Sequence, residues 1–335
     1  MTLVTFNDIY AASQRLEHVV SHTSLLKAPW ASCTHRSLLL KPENLQITGS
    51  FKIRGAYNRL SRLPEAEKAR GVIARSSGNH GKALAYVARQ EGLKVTIVMP
   101  VTAAKAKVDG VLEYGAEVKF APLDECAKVT EELAEKHGFV VVPPFDDPDV
   151  IAGQGTVGLE IAEEAVARGL DVDTVLVPVS GGGLISGVAA ALKLTRPGVR
   201  VVGVEPELAA DAQESLRAGR RVTWPAQRVS RTLADGLRMS TVGVHPFEHM
   251  QVLVDDIITV TEEEICSSVA ILARRAGMIA EPSGAVTTAA YLYHERDLPA
   301  GAAHVAVVSG GNIDADLLEA LLNEPPLAYT GCCSY

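Results

Sequence analysis

From residue 71 onward, short β-branched runs alternate with amphipathic stretches. GVIAR is followed by Lys82 to Gln90 and KVTIVMP by Ala103 to Tyr114. AEVKFA, FVVVPP, VDTVLVPVS, VRVVGVEP and AHVAVVSGG continue the series, each followed by a stretch rich in Ala, Leu and Glu. Strand-length runs separated by helix-length segments are the mark of βαβ units in a parallel sheet, because every crossover helix returns the chain to the end of the sheet from which the previous strand began. The fold class is therefore α/β. VPPFDDPDV, with three prolines and two adjacent acids, is the strongest break in this rhythm and reads as a crossing between two lobes. A large domain over 1–70 and 146–323 is expected, with a small domain of 71–145 inserted in it. The tail over 324–335, which carries Cys332 and Cys333, is expected to be poorly ordered.

A chain of 335 residues with 47% hydrophobic content can fill the cores of two such domains. The formal net charge of -8, with no basic blocks, argues against nucleic acid or anionic membrane as the main partner and leaves small molecules. No apolar run reaches the roughly 18 residues of a spanning helix, and MTLVTFNDIY has no basic n-region or h-region. The five cysteines lack metal-finger spacing and fit a reducing compartment, so the expected location is cytoplasmic.

In open α/β sheets a ligand sits beyond the carboxyl ends of the strands. Three polar or glycine clusters directly follow apolar runs. SSGNHG (Ser76 to Gly81) opens a helix and offers either an N-cap, through Ser77 or Asn79, or unpaired amides suited to a carboxylate. VLVPVSGGGLISG places Ser180 to Leu184 at a strand-to-helix turn. Consecutive glycines there either let several amides converge on a phosphate or simply permit close packing of strand on helix. VAVVSGGN ends a strand on Ser309, an uncharged hydroxyl that could also cap a helix starting near Asn312. A fourth cluster, TGSFKIRGA, holds Lys52 among Thr48, Ser50 and Phe51. Arg54 beside it is compatible with an ordinary charged helix face, whereas partial desolvation would lower the lysine's pKa and make its amine a nucleophile toward a carbonyl. A phosphate pocket and such a lysine together suggest a carbonyl-bearing phosphate ester.

In their order along the chain, KPENLQITGSFKIRGA, SSGNHGKALA, PPFDDPDVIAGQGT, VPVSGGGLISG, TLADGL, EPSGAV and VVSGGN resemble the fold-type II pyridoxal 5'-phosphate enzymes, of the threonine/serine dehydratase and serine racemase family. The resemblance runs from about residue 6 to 320 and implies a tryptophan synthase β-like fold of two three-layer α/β/α lobes with mostly parallel sheets. By it, Lys52 carries the cofactor covalently and Phe51 lies against the ring. Asn79 bonds the phenolic oxygen, the amides of Gly181, Gly182, Gly183 and Leu184 hold the phosphate, and Ser309 faces the pyridine nitrogen. Ser76, Ser77, Gly78, Asn79 and His80 would bind the substrate carboxylate, with Ser77 also placed as an acid/base opposite the lysine. Glu205, Ala209 and Asp211 match a divalent-cation site for magnesium, manganese or calcium, although from spacing alone they read rather as a solvated acidic face.

The activity implied is β-elimination from L-threonine or L-serine to a 2-oxo acid and ammonia, a preference to which Phe145 in PPFDDP contributes. Amino-acid racemisation and elimination from 3-hydroxyaspartate share every motif, and a β-replacement synthase would use the same lysine. A homodimer is expected by the same resemblance. No regulatory domain is expected after the last motif. Ser180 stands where the family's phosphate loop often has a further glycine, so an ordinary backbone angle is expected there.

Overall fold

The structure, a computed structural model, describes residues 3–76, 78–103 and 105–329. Among these, ten strands form two sheets. The larger has the order β1 (Leu26–Lys27), β2 (Ser37–Pro42), β10 (Ala303–Val308), β7 (Thr174–Pro178), β8 (Arg200–Pro206) and β9 (Asp256–Val260). All its pairings are parallel except β1 with β2. The smaller, wholly parallel sheet has the order β5 (Glu117–Ala121), β4 (Val95–Pro100), β3 (Val72–Arg75) and β6 (Val140–Val141). β6 is shorter than FVVVPP suggests. After Val142 donates to the Ile73 carbonyl, two prolines without N–H groups end the ladder. β1, β2 and β9 lie outside the series read from the sequence.

The centre of the large sheet is dry, as parallel strands covered on both faces must be. Every residue of β7 and β10 is buried. Two helices that cover one face, Pro148–Ala167 and Gly183–Thr195, approach closely because each presents glycine to the other. A Cβ on Gly187 would lie 2.4 Å from the Gly155 nitrogen and 2.4 Å from the Ile151 oxygen, and one on Gly158 would lie 2.7 Å from the Val188 oxygen.

The two adjacent acids at the expected lobe crossing are helix caps that serve different helices. Asp147 accepts from the amides of Asp149 at 2.7 Å and Val150 at 3.1 Å, starting the Pro148–Ala167 helix. Asp146 accepts at 2.9 Å from each of the Val244 and His245 amides, starting the Val244–Leu253 helix.

The tail, for which poor order is expected, makes contacts up to residue 329. Leu327 donates its amide to Ser267 Oγ at 2.9 Å, and the Tyr329 ring lies edge-on to Tyr293 with centroids 6.3 Å apart. Cys332 and Cys333 lie outside the described residues. Among those described, no helix is long and apolar enough to cross a membrane.

Candidate active site

β10 delivers the chain to the site at Ser309. The Ser309 carbonyl accepts the Phe51 amide at 3.1 Å, and Ser50 bridges to Gly310, so the Lys52–Ser61 helix begins directly against the carboxyl end of that strand. Lys52 is the first residue of this helix. Its Nζ donates to the Pro144 carbonyl at 2.8 Å and lies 5.0 Å from the centroid of the Phe51 ring. Burial disfavours the ammonium and pushes the pKa down to about 8, so a usable fraction of the amine is neutral near neutral pH.

Arg54 does not lie on an exposed helix face. It is fully buried, with Nε and Nη2 on Glu43 at 2.8 Å each and Nη1 on Glu160 at 2.6 Å. The two cations near the helix start therefore have separate duties: Arg54 is locked in an ion network, and Lys52 is left without a carboxylate partner among the described residues.

The glycine loop lies at the end of β7. Gly182 has φ +89°, and a Cβ on Gly181 would come within 2.3 Å of the Phe145 ring. Gly183, where the helix begins, would meet Phe145 at 2.8 Å. Glycine at these positions therefore answers both backbone angle and space. The expected ordinary angle at Ser180 holds, since no described non-glycine residue has positive φ. Its Oγ accepts the Met239 amide at 3.2 Å. Among the described residues, none accepts from the amides of Gly181, Gly182, Gly183 or Leu184. Four unpaired donors at the N-terminus of a 13-residue helix fit a phosphate group.

SSGNHG opens the Asn79–Gln90 helix without a side-chain cap. Ser76 Oγ accepts from Gly78 at 3.3 Å and Gly81 at 2.9 Å, which holds the turn shut. Ser77 lies outside the described residues. His80 is buried, with Nε2 3.0 Å from the Val142 carbonyl, so that nitrogen carries the hydrogen. Burial and the neighbouring Lys52 push its pKa down to about 3, and the ring stays neutral.

The Asn79 side chain points elsewhere than a cap would. Its Nδ2 donates to Glu281 Oε1 at 2.6 Å, and its Oδ1 accepts from Asn312 Nδ2 at 2.7 Å. Asn312 also donates to the Thr48 carbonyl at 2.9 Å and accepts from Lys82 Nζ at 2.9 Å. Glu281 is 3% exposed, and burial lifts its carboxyl to about 7 against the opposing pull of Asn79, Lys107 and Lys82. Ser309, at 4% exposure, donates a long 3.4 Å bond to the Ser283 carbonyl. It caps no helix: the following helix, Ala315–Asn323, is capped by Asp314. Neither Glu281 nor Asn312 is singled out by the sequence reading, although EPSGAV and VVSGGN contain them. No local sequence signal marks Glu281, because its partner Asn79 lies 202 positions away.

Glu205, Ala209 and Asp211 meet at the end of β8, away from a solvated face. Their exposures are 0%, 1% and 1%. Glu205 accepts from Ala212 at 3.1 Å and Gln213 at 2.8 Å, whereas both Asp211 oxygens are buried without a partner among the described residues. Burial raises both carboxyls, Asp211 to about 7. No group of three or more His, Cys, Asp or Glu side chains able to hold a metal occurs among the described residues.

A partly buried lysine of lowered pKa, a neutral hydroxyl at a strand end and a cradle of free amides on two parallel sheets define an enzyme that uses a carbonyl-bearing phosphate cofactor. The family model described as "Pyridoxal-phosphate dependent enzyme" matches residues 16–310, and the chain belongs to that family. It is 43% identical to the L-threonine ammonia-lyase of Thermotoga maritima over 96% of this chain and 79% of that protein. It is 42% identical to the catabolic L-threonine dehydratase of Escherichia coli over 93% and 94%. Among solved structures, a threonine deaminase from T.th. superposes with a TM-score of 0.87 at 40% identity, covering 92% of this chain and 99% of that one. Maize serine racemase gives 0.89 at 33% identity, covering 96% and 98%.

Proposed function

We propose that this protein is a pyridoxal 5'-phosphate-dependent ammonia-lyase that converts a β-hydroxy amino acid, L-threonine or L-serine, into a 2-oxo acid and ammonia. The observation that carries this reading is the 41–43% identity to L-threonine ammonia-lyase and dehydratases across 93–96% of the chain. The geometry supports it. The Gly181, Gly182, Gly183 and Leu184 amides, without acceptors among the described residues, would hold the phosphate. Phe51 would lie against the ring, and Asn79 would donate to the phenolic oxygen. Ser76, Ser77, Gly78, Asn79 and His80 would receive the substrate carboxylate.

When bound, the cofactor supplies a sink for the electron pair left on the substrate α-carbon. The Lys52 amine removes the α-proton, a general-base step favoured by its pKa of about 8. Ser309 offers the ring nitrogen a neutral hydroxyl. Unlike a carboxylate, it would not hold a proton on that nitrogen, and loss of the α-proton is followed by breakage of the Cβ–O bond. The oxygen leaves with a proton as water. The released enamine becomes an imine, and water hydrolyses it to ammonia and a 2-oxo acid: 2-oxobutanoate from threonine, pyruvate from serine.

Incubation with L-threonine, L-serine and 3-hydroxyaspartate, following both 2-oxo acid and D-enantiomer, tests this reading. Formation of 2-oxobutanoate at a rate exceeding any racemisation is expected. D-Serine in large excess over pyruvate would instead favour racemisation, the alternative supported by the likeness to maize serine racemase.

The reading extends to a magnesium, manganese or calcium ion held by Glu205, the Ala209 carbonyl and Asp211. The two partnerless Asp211 oxygens support it, because a buried carboxylate without donors is costly unless a cation balances it. Addition of one of these ions is expected to raise the melting temperature, and Asp211→Asn is expected to abolish the response. No response to any of the three rejects the site.

A further inference from the structure

Every member of the chain Lys82, Asn312, Asn79 and Glu281 has its hydrogen-bonding direction decided by its neighbour. A lysine ammonium can only donate, so the Asn312 atom facing Lys82 at 2.9 Å must be the amide oxygen. The Asn312 NH2 therefore faces the Thr48 carbonyl and Asn79, and the Asn79 atom that meets it at 2.7 Å must be an oxygen. That turns the Asn79 NH2 to Glu281, whose Oε1 accepts one of its two hydrogens at 2.6 Å. The second hydrogen is left over. Without the outer partners an asparagine amide can rotate by half a turn and exchange donor for acceptor at little cost.

We propose that Glu281 is a positioning residue: by accepting one Asn79 hydrogen it holds the amide so that the other N–H is presented to the cofactor's phenolic oxygen. Its own place is fixed tightly. The Glu281 amide donates to the Gly310 carbonyl at 3.0 Å, and a Cβ on Gly310 would come within 2.1 Å of Glu281 Oε1 and 3.1 Å of Asn79 Nδ2. Gly310 thus leaves the space in which carboxyl and amide meet. With a carboxyl lifted to about 7, Glu281 is partly protonated near neutral pH, yet a protonated carboxyl still offers its carbonyl oxygen. An acceptor role survives that change, and an isosteric glutamine can supply the same oxygen.

The proposal rests on the placement of Asn79 against the cofactor ring, and its test separates the two. Glu281→Met keeps length and volume and removes the acceptor, Glu281→Gln keeps the acceptor, and Asn79→Ala removes the donor. Thermal unfolding of the cofactor-free proteins checks that each folds. The readouts are the dissociation constant for pyridoxal 5'-phosphate and the absorption maximum of the bound cofactor. Glu281→Met is expected to weaken cofactor binding about tenfold, the worth of one hydrogen bond in a dry site, and to shift the visible band in the direction given by Asn79→Ala. Glu281→Gln is expected to restore both. Wild-type affinity and band in Glu281→Met, with both altered in Asn79→Ala, would overturn the positioning role alone. Wild-type values in both variants would overturn the placement of Asn79 as well. A Glu281→Gln protein as impaired as Glu281→Met would also overturn the role, since charge and not acceptor geometry would then matter.

Discussion

Lys52→Ala is expected to lower the rate of 2-oxobutanoate formation from L-threonine by ~10³-fold or more and to remove the visible absorbance of the purified protein. The proposed function assigns two duties to one amine, covalent attachment of the cofactor and removal of the α-proton, and no neighbouring lysine is free to take over both. Lys82 is committed to Asn312, and Lys107 is paired with Asp235. The fold should survive the change. The Lys52 Nζ gives its hydrogen bond to the Pro144 carbonyl and forms no ion pair among the described residues, so alanine leaves one carbonyl unpaired and strands no charge. Initial rates and an absorption spectrum check the expectation. A variant within about tenfold of the parent rate would refute the assignment of both duties to this residue.

The largest effect on stability is expected from Arg54→Ala. Arg54 and Glu43 are both wholly buried, and Glu160 joins them through Nη1 at 2.6 Å and Nη2 at 2.9 Å, with Lys41 on its other side. Removing the guanidinium leaves two inward carboxylates to share one lysine. The cost of stranding a buried charge is about 3–5 kcal/mol, read as a fall in the urea midpoint of the cofactor-free protein. Arg54→Lys should recover only a part, because a single ammonium cannot reach Glu43, Glu160 and Thr156 together as the planar fork does. Arg54 stands in the first turn of the helix that begins with Lys52, so loosening it should also weaken cofactor retention.

The α/β class, the smaller sheet, strands β7, β8 and β10 of the larger one and the glycine loop are legible because each rests on a local pattern: β-branched runs, amphipathic spacing and glycines at strand ends. β2 and β9 were not read, since SLLLKP is a leucine run ending in a buried lysine and DIITV is too short for its period to speak. Arg54 reads from sequence as one more cation on a helix surface. Its burial follows from Glu43 and Glu160, 11 and 106 positions away, which no local window contains. The same holds for Glu281, 202 positions from Asn79. The acids at 205 and 211 looked solvated because spacing says nothing of the cover placed over a strand end. What the chain hides from a sequence reading is partnership at long range, and partnership is what sets charge, burial and pKa at this site.

Attachment of the cofactor at Lys52 is the claim on which the chemistry most directly depends. Cofactor-free protein is mixed with pyridoxal 5'-phosphate across a pH series, reduced with borohydride after a short fixed time, and mapped by peptide mass. Because the neutral amine attacks the aldehyde, a lowered pKa predicts label on Lys52 with a yield that climbs as pH rises through about 8. Label on a different lysine, or a yield that climbs only toward the 10.5 of an ordinary lysine, would contradict it.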